Sequence, residues 1–265
     1  MTVRWITSFL DSPADAHDRR SDFWCQITGS TRSAPRGSTG EFITLVPPNG
    51  DAYLRAQRTT QGPGGLHLDL HVDNIQEFVS HATACGATIV ADRGYVILSS
   101  PGKFTFCIVS WHGETLRPRS VGDPASLVDQ VALDVPFELF DTECEFWASL
   151  TGWELAQSMR AEFCLLARPQ GMPLRVLLQR LGPTDAPNTV TAHLDAACGG
   201  GIGELIKQHT AFGAELIHSG AAWSTLRDPT GLHYCLTSRD PETGLLSGSN
   251  PELAKSAAMR LNEPS

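Results

Sequence analysis

Two short segments of the chain pair a histidine with an aspartate two residues later, among alternating apolar residues. The segment GGLHLDLHV contains His67 and Asp69, and the segment VTAHLDAAC contains His193 and Asp195. A neutral imidazole nitrogen can bind a divalent metal ion. A nearby carboxylate can bind the same ion, orient the ring or move a proton. These four residues are therefore the first candidates for chemistry.

The alternation of polar and apolar residues predicts that both segments are β-strands. Side chains two residues apart in a strand point to the same face. His67, Asp69 and His71 therefore share one face, and the intervening leucines share the other. We expect the leucine face to pack against a core and the polar face to line a cleft. The same reasoning places His193 and Asp195 in a cleft of their own.

The segments around these strands recur in the same order along the chain. FWCQITG recurs as FWASLTG after 123 residues, the His-Leu-Asp triplet after 126, and SPGKFTFC recurs as DPTGLHYC after 128. Conserved order and spacing predict a tandem duplication. We expect a first domain over 1–114, a linker over 115–126, a second domain over 127–239 and a C-terminal tail over 240–265.

Each half of the chain has an internal pattern of one strand, one helix and three further strands, and this pattern occurs twice. Apolar spacing predicts helices near 15–27, 73–86, 141–151 and 202–212. The order indicates an α+β fold in which helices cover one face of a mixed sheet.

The composition limits the classes of partner. The chain has 265 residues, of which 41% are hydrophobic, and carries a net charge of −9, which argues against a nucleic-acid partner. There is no signal-peptide pattern and no apolar run long enough to span a membrane. The seven cysteines form no CxxC pair, which favours reduced thiols in a cytoplasmic protein. The expected partner is a small molecule, and the chain is either a monomer or a homodimer.

Three features resemble the vicinal-oxygen-chelate superfamily, which includes glyoxalase I, extradiol dioxygenases, and the fosfomycin and bleomycin resistance proteins. They are the DPTG turn before a last strand, the HLDL strand that enters a helix, and VLLQR before a loop with glycine and proline. The resemblance covers the chain except its tail. It implies tandem domains of paired βαβββ units, each a cupped mixed sheet with helices outside and a metal ion inside the cup.

The resemblance also implies where metal ligands would lie. In the second domain these places fall on Gln130, Gln179, His193 and His233. In the first domain they fall on Thr7, Gln57, His67 and Thr105. We therefore predict a divalent ion (zinc, iron, nickel or manganese) in the second domain and none in the first, whose site looks degenerate. The second set contains no carboxylate to offset the charge of the ion, which is unusual for such sites.

These residues support more than one function. In an enzyme that acts on vicinal oxygens as a lyase, isomerase or dioxygenase, Asp195 would move the proton. In a metal-free acid–base enzyme, Asp69 is an equally good candidate. The chain could instead bind an antibiotic or an aromatic metabolite without chemistry. His71, Trp111 and Trp223 are the predicted substrate contacts, although both tryptophans would also suit packing at a domain edge.

Overall fold

The computed structural model describes residues 2–60, 62–158, 160–183 and 188–246. The first half of the chain forms one eight-stranded sheet and two helices. In chain order the elements are β1 (Val3–Pro13), α1 (Ala14–Thr28), β2 (Thr31–Arg32), β3 (Phe42–Val46), β4 (Leu54–Thr59), β5 (Gly65–Val72), α2 (Ile75–Ala84), β6 (Thr88–Asp92), β7 (Val96–Ser99) and β8 (Thr105–Ser110).

The second half repeats this sequence of elements. They are β9 (Leu127–Val135), α3 (Phe140–Thr151), β10 (Leu155–Gln157), β11 (Phe163–Leu166), β12 (Arg175–Arg180), β13 (Thr191–Ala197), α4 (Ile202–Ala211), β14 (Glu215–Ser219), β15 (Trp223–Arg227) and β16 (His233–Thr237). A short 3-10 turn precedes each helix of this half.

The two sheets have the same strand order. It is β2-β3-β4-β1-β5-β8-β7-β6 in the first sheet and β10-β11-β12-β9-β13-β16-β15-β14 in the second. Strands β1 and β5 pair antiparallel at the centre, β4 and β8 lie parallel beside them, and the outer strands pair antiparallel. The predicted α+β fold of paired βαβββ units in tandem is confirmed. The exact limits of the domains, the linker and the tail stay a prediction.

The repeated FW…TG motif ends the first helix of each half. Helix α1 is followed by Gly29 with φ of 64°, and α3 is followed by Gly152 with φ of 69°. This left-handed conformation strains any residue with a Cβ, and here it lets the chain turn back toward the sheet. A glycine at this position of both repeats therefore has a structural cause.

The two halves pack against each other through their helices. Trp24 of α1 lies 5.3 Å from the ring of Tyr234 in β16, and its Nε1 donates to Asp228 at 3.1 Å. In the reverse direction, Trp147 of α3 lies 5.3 Å from Phe106 in β8. Both tryptophans are almost fully buried, as expected for large aromatic side chains at a packing centre. The first helix of each half thus stabilises the last strand of the other.

No helix in the described ranges combines the length and the apolar character that crossing a membrane requires.

Candidate functional site: two clefts with a shared cluster

The central strands of each sheet bring three potential ligands together. β5 or β13 supplies a histidine and an aspartate, and the parallel neighbour β8 or β16 supplies a cysteine opposite that aspartate. The ligand atoms of each trio lie within 4.8 Å of one another. The first cluster is His67, Asp69 and Cys107, and the second cluster is His193, Asp195 and Cys235.

In the second cluster, both polar side chains of β13 are held by residues of β9. His193 Nδ1 lies 2.8 Å from Asp134 Oδ2, and Gln130 Nε2 donates to Asp195 Oδ2 at 2.5 Å. His193 Nε2 lies 3.3 Å from Asp195 Oδ1, without the geometry of a hydrogen bond. Within the described ranges that buried Oδ1 atom has no hydrogen-bond partner. A buried acceptor without a partner is costly, so this atom is available to a ligand.

Charges around the second cluster favour the ionised carboxylate. Burial by itself would raise the pKa of Asp195, but the His193 ring, and with it Arg239 and Gln130, lower that pKa overall. Burial would lower the pKa of His193, whereas Asp134 and Asp195 raise it well above its usual value. The two carboxylates therefore favour the protonated ring, and a metal ion at Nε2 would have to replace that proton.

The first cluster has the same frame with different neighbours. His67 Nδ1 lies 2.6 Å from Asp11 Oδ2, as His193 does from Asp134, but His67 Nε2 lies 3.8 Å from Asp69 Oδ1. The nearest cation to Asp69 Oδ2 is the guanidinium of Arg55, whose Nη1 is 3.9 Å away. Burial raises the pKa of Asp69 more than His67 and Arg55 lower it. Protonation is thus easier at Asp69 than at Asp195.

The second cluster opens into a cavity of about 460 Å³, the second cleft. Its wall combines aromatic and aliphatic side chains with arginines, including Phe163, Leu177, Trp223, Arg160, Arg175 and Arg239. The wall is completed by Gly244, Leu245 and Leu246, which follow β16.

Positive charge is concentrated behind this cleft. Arg239 Nη1 pairs with the fully buried Asp129 at 2.6 Å, and Arg168 Nη1 donates to the main-chain oxygens of Asp129 and Pro173. Arg175 donates to the main-chain oxygen of Gly244 at 2.6 Å. Burial, together with the nearby Arg117, lowers the pKa of Arg168 to about 10. Three guanidinium groups thus lie near two carboxylates, Asp129 and Asp195, which leaves net positive charge for an anion in the cleft.

The first cluster opens into a cavity of about 550 Å³, the first cleft. Its wall also combines aromatic rings with arginines, namely Phe9, Phe42, Tyr95, Arg36, Arg55 and Arg93. One aromatic position corresponds in the two halves, since Phe42 pairs with Gln57 as Phe163 pairs with Gln179. The arginines do not correspond, because Leu177 stands where the first half has Arg55.

Several residues predicted from the sequence do line the clefts. Gln130, Gln179, His193, Asp195 and Trp223 line the second cleft. Gln57, His67, Asp69 and Thr105 line the first cleft. Their chemical roles stay predictions.

Other predicted residues lie elsewhere. His233 is at the exposed start of β16, and Cys235 is the side chain of that strand that reaches the second cluster. His233 does not reach the cluster because it lies two positions before Cys235, which is about 7 Å along a strand. His71 is fully buried, with its Nε2 2.9 Å from Thr7 Oγ1, and lines neither cleft. Trp111 is half-buried and donates to the main-chain oxygen of Glu114.

Sequence reasoning missed the two cysteines and the two aspartates that hold the histidines. Cys107 and Cys235 occupy the same position in the repeated segments SPGKFTFC and DPTGLHYC. Asp11 and Asp134 are 123 residues apart, which is the spacing of the repeated helix motif. The duplication therefore carried the signal for all four. The first half also has the same three donor types as the second. Which half holds a metal ion, and whether the first site is degenerate, stay predictions.

The second cluster fits a divalent metal ion. Imidazole, carboxylate and thiolate are all common ligands of such ions, and together they supply the negative charge that two histidines and two glutamines lack. Asp195 Oδ1 is buried without a hydrogen-bond partner among the described residues, and Asp134 orients the ring from its other nitrogen. A carboxylate behind a histidine ligand is the usual support of such a site.

Comparison with known proteins places the chain in a family. The family described as Glyoxalase-like domain matches residues 8–109 and 130–237, so the chain belongs to it. This confirms the resemblance to the vicinal-oxygen-chelate superfamily. No curated protein matches the chain.

Solved structures with related folds include several enzymes. The chain is similar to a mutant of 4-hydroxymandelate synthase from Streptomyces coelicolor, with a TM-score of 0.63 and 15% identity over 99% of both chains. It is also similar to 2,2',3-trihydroxybiphenyl 1,2-dioxygenase from Sphingomonas wittichii (TM-score 0.62, 13% identity, 92% of this chain and 95% of that one). A third is the Mn(II)-bound glyoxalase from Novosphingobium aromaticivorans (TM-score 0.59, 12% identity, 92% of this chain and 85% of that one). At these identities the likeness concerns the fold.

Proposed function

We propose that the second cleft binds a divalent metal ion through His193, Asp195 and Cys235, and that it acts there on a small anionic substrate with two adjacent oxygen atoms. The observation that carries the proposal is the buried Oδ1 atom of Asp195. It lacks a hydrogen-bond partner in the described part of the chain, yet lies with two other donors inside a 4.8 Å cluster.

The bound ion would act as a Lewis acid that stabilises negative charge on the substrate oxygens. The protein residues prepare the site for it. Asp134 holds His193 through Nδ1, which leaves Nε2 as the ligand atom, and Gln130 holds the second oxygen of Asp195. A thiolate with an imidazole and a carboxylate favours zinc, iron or nickel over manganese.

The walls of the cleft indicate the kind of substrate. Arg175 and Arg239 provide positive charge for a carboxylate or another anionic group. The rings of Trp223 and Phe163 have centroids 6.3 Å apart and planes at 80° to each other. They form an apolar part of the wall of the same cleft. An organic anion with a flat or apolar body therefore matches the cleft in charge and in surface.

A metal-free reaction is the second candidate, and one observation favours it. His193 lies between Asp134 and Asp195, at 2.8 and 3.3 Å, so its charge is next to the carboxylate that would act as the base. In that case Asp195 Oδ1 would take a proton from the substrate, and the protonated His193 would stabilise the anion that forms.

Metal analysis of the purified protein separates the two candidates. One sample is purified without added metal, and a second is incubated with zinc, iron(II) or nickel and then desalted. Each should hold about one equivalent of metal per chain. His193→Ala should abolish this binding. His67→Ala is the matched control, because it removes the corresponding ring of the first cluster and should leave the metal content unchanged.

A metal content below about a tenth of an equivalent, with no effect of these ions on the melting temperature, would exclude the metal site. The role of Asp195 as the base would then be tested by the loss of substrate turnover in Asp195→Asn. Ligand binding without turnover in the wild-type protein would show a binding protein instead.

A further inference from the structure

We propose that the first cleft is a separate, metal-independent binding site for a planar organic anion, of the class of aromatic carboxylates. The cleft has a volume of about 550 Å³, and three arginines line it: Arg36, Arg55 and Arg93. The chain as a whole carries a net charge of −9. Arginines gathered in a cavity of an acidic protein indicate an anionic ligand.

Arg55 is the cation with the clearest need of a partner. Its nearest carboxylate oxygen, on Asp69, is 3.9 Å from Nη1, which is too far for a hydrogen bond. Its Nε atom is buried and has no hydrogen-bond partner in the described ranges. A guanidinium group presents its donors in a fixed fork that fits the two oxygens of a carboxylate. A bound carboxylate would therefore satisfy donors that the protein leaves open.

The surface beside Arg55 is aromatic. Phe9 stacks on the His67 ring, with centroids 4.5 Å apart and an angle of 13°, and meets the edge of Phe42 at 6.1 Å. The Arg55 guanidinium lies 5.7 Å from the centre of the Phe9 ring. Tyr95 lines the same cavity. The cavity thus combines aromatic side chains with a cation that packs over one of the rings, which suits a flat ring that carries a negative group.

The same residues disfavour a metal ion in the first cleft. A guanidinium 3.9 Å from Asp69 repels a second cation at that carboxylate. In the second cleft the corresponding carboxylate accepts a hydrogen bond from the neutral Gln130, and Leu177 replaces Arg55. The nearby Arg239 is paired there with a different carboxylate, Asp129, at 2.6 Å. The two clefts thus contain clusters of the same residue types, but the second cluster suits a metal cation and the first suits an organic anion.

Calorimetric titration with benzoate tests this proposal. The wild-type protein should bind benzoate saturably in the millimolar range or tighter, and should bind the neutral isostere benzamide at least about tenfold more weakly. Arg55→Gln should weaken benzoate binding in the first cleft at least about tenfold, and Arg55→Lys should weaken it less, because a charge remains. Arg19→Gln makes the same charge change on the exposed side of α1 and should have no effect.

Three results would overturn the proposal. One is no saturable benzoate binding up to about 10 mM. The second is equal binding of benzamide. The third is unchanged benzoate binding in Arg55→Gln. Loss of all benzoate binding in Arg175→Gln would then place the anion in the second cleft. Thermal melting of each variant separates weak binding from failure to fold, and Arg55→Lys provides a folded substitute. The metal content of Arg55→Gln should equal that of the wild type, so a failed metal site and a failed anion site are distinguishable.

Discussion

Asp195 accepts a 2.5 Å hydrogen bond from Gln130, whereas Asp69 lies 3.9 Å from the guanidinium of Arg55. The pKa of Asp195 is lowered overall and that of Asp69 is raised, although both are buried at equivalent places of the duplicated sheets. The difference comes mainly from the histidine, whose Nε2 lies 3.3 Å from Asp195 and 3.8 Å from Asp69, and from Gln130 on β9, which donates to Asp195. Arg55 on β4 also lowers the pKa of Asp69, but burial outweighs it. A shared cluster therefore does not define a shared chemistry, because its immediate partners set the charge that it can accept.

The largest expected difference between the clefts concerns their carboxylates. Asp195→Asn should lower metal affinity at least about 100-fold, since it removes the charged oxygen ligand. Asp69→Asn should leave it unchanged. Competition with a chromophoric chelator measures both. Equal losses in the two variants would show that the clefts share one metal function.

The acid stability of the first half offers a second contrast. Burial lowers the pKa of His71 to about 4, Arg55 and His112 act in the same direction, and Glu114 opposes them. Ala197 holds the equivalent place in the second half. Because the folded pKa is below the usual 6.5, His71 contributes stability above pH 6.5 that is lost as pH falls toward 4.

His71→Gln should therefore flatten the pH dependence of unfolding. The wild-type protein should lose up to about 2 to 3 kcal/mol of unfolding free energy through this group between pH 6.5 and 4. Urea unfolding followed by tryptophan fluorescence at several pH values measures the slope. Identical slopes in both proteins would contradict a neutral, buried His71.

Each histidine ring is held by an aspartate, but only the loss of the aspartate behind His193 should affect metal binding. Asp134→Asn should weaken metal binding about 10- to 100-fold, because the ring of His193 loses the carboxylate that orients it. Asp11→Asn makes the same change behind His67 and should not affect metal binding. The chelator competition used for Asp195 applies here, and a wild-type affinity in Asp134→Asn would refute the supporting role.

The smallest expected effect comes from transferring the cation of the first cleft to the second. Leu177→Arg places an arginine where β4 has Arg55, and should lower metal affinity about tenfold by repulsion. Leu177→Gln controls for polarity without charge. If both variants bind metal like the wild type, the guanidinium near Asp69 is not what separates the clefts.

The frame of both clefts could be predicted from the sequence because duplication preserves order and spacing. The His-Leu-Asp strands and the paired βαβββ units followed from repeats and alternation. On β16 the resemblance pointed to His233, whereas Cys235 is the side chain that reaches the second cluster. Both lie on one face of the strand, because strand periodicity fixes the face and leaves the position along the strand open.

Other features depend on contacts between distant segments. Arg55 reaches Asp69 across β1, and the arginines around Asp129 come from β12, the segment after β16 and the loop before β12. Neither contact leaves a periodic pattern in the sequence. The repeat does, however, align Asp11 with Asp134, which would have identified the partners of both histidines.

An anomalous diffraction measurement on crystals grown with zinc tests the central claim most directly. The account predicts one peak within about 2.0 to 2.4 Å of His193 Nε2, a carboxylate oxygen of Asp195 and Cys235 Sγ, and no peak at His67, Asp69 and Cys107. No peak at the second cluster, or peaks of equal height at both, would contradict it.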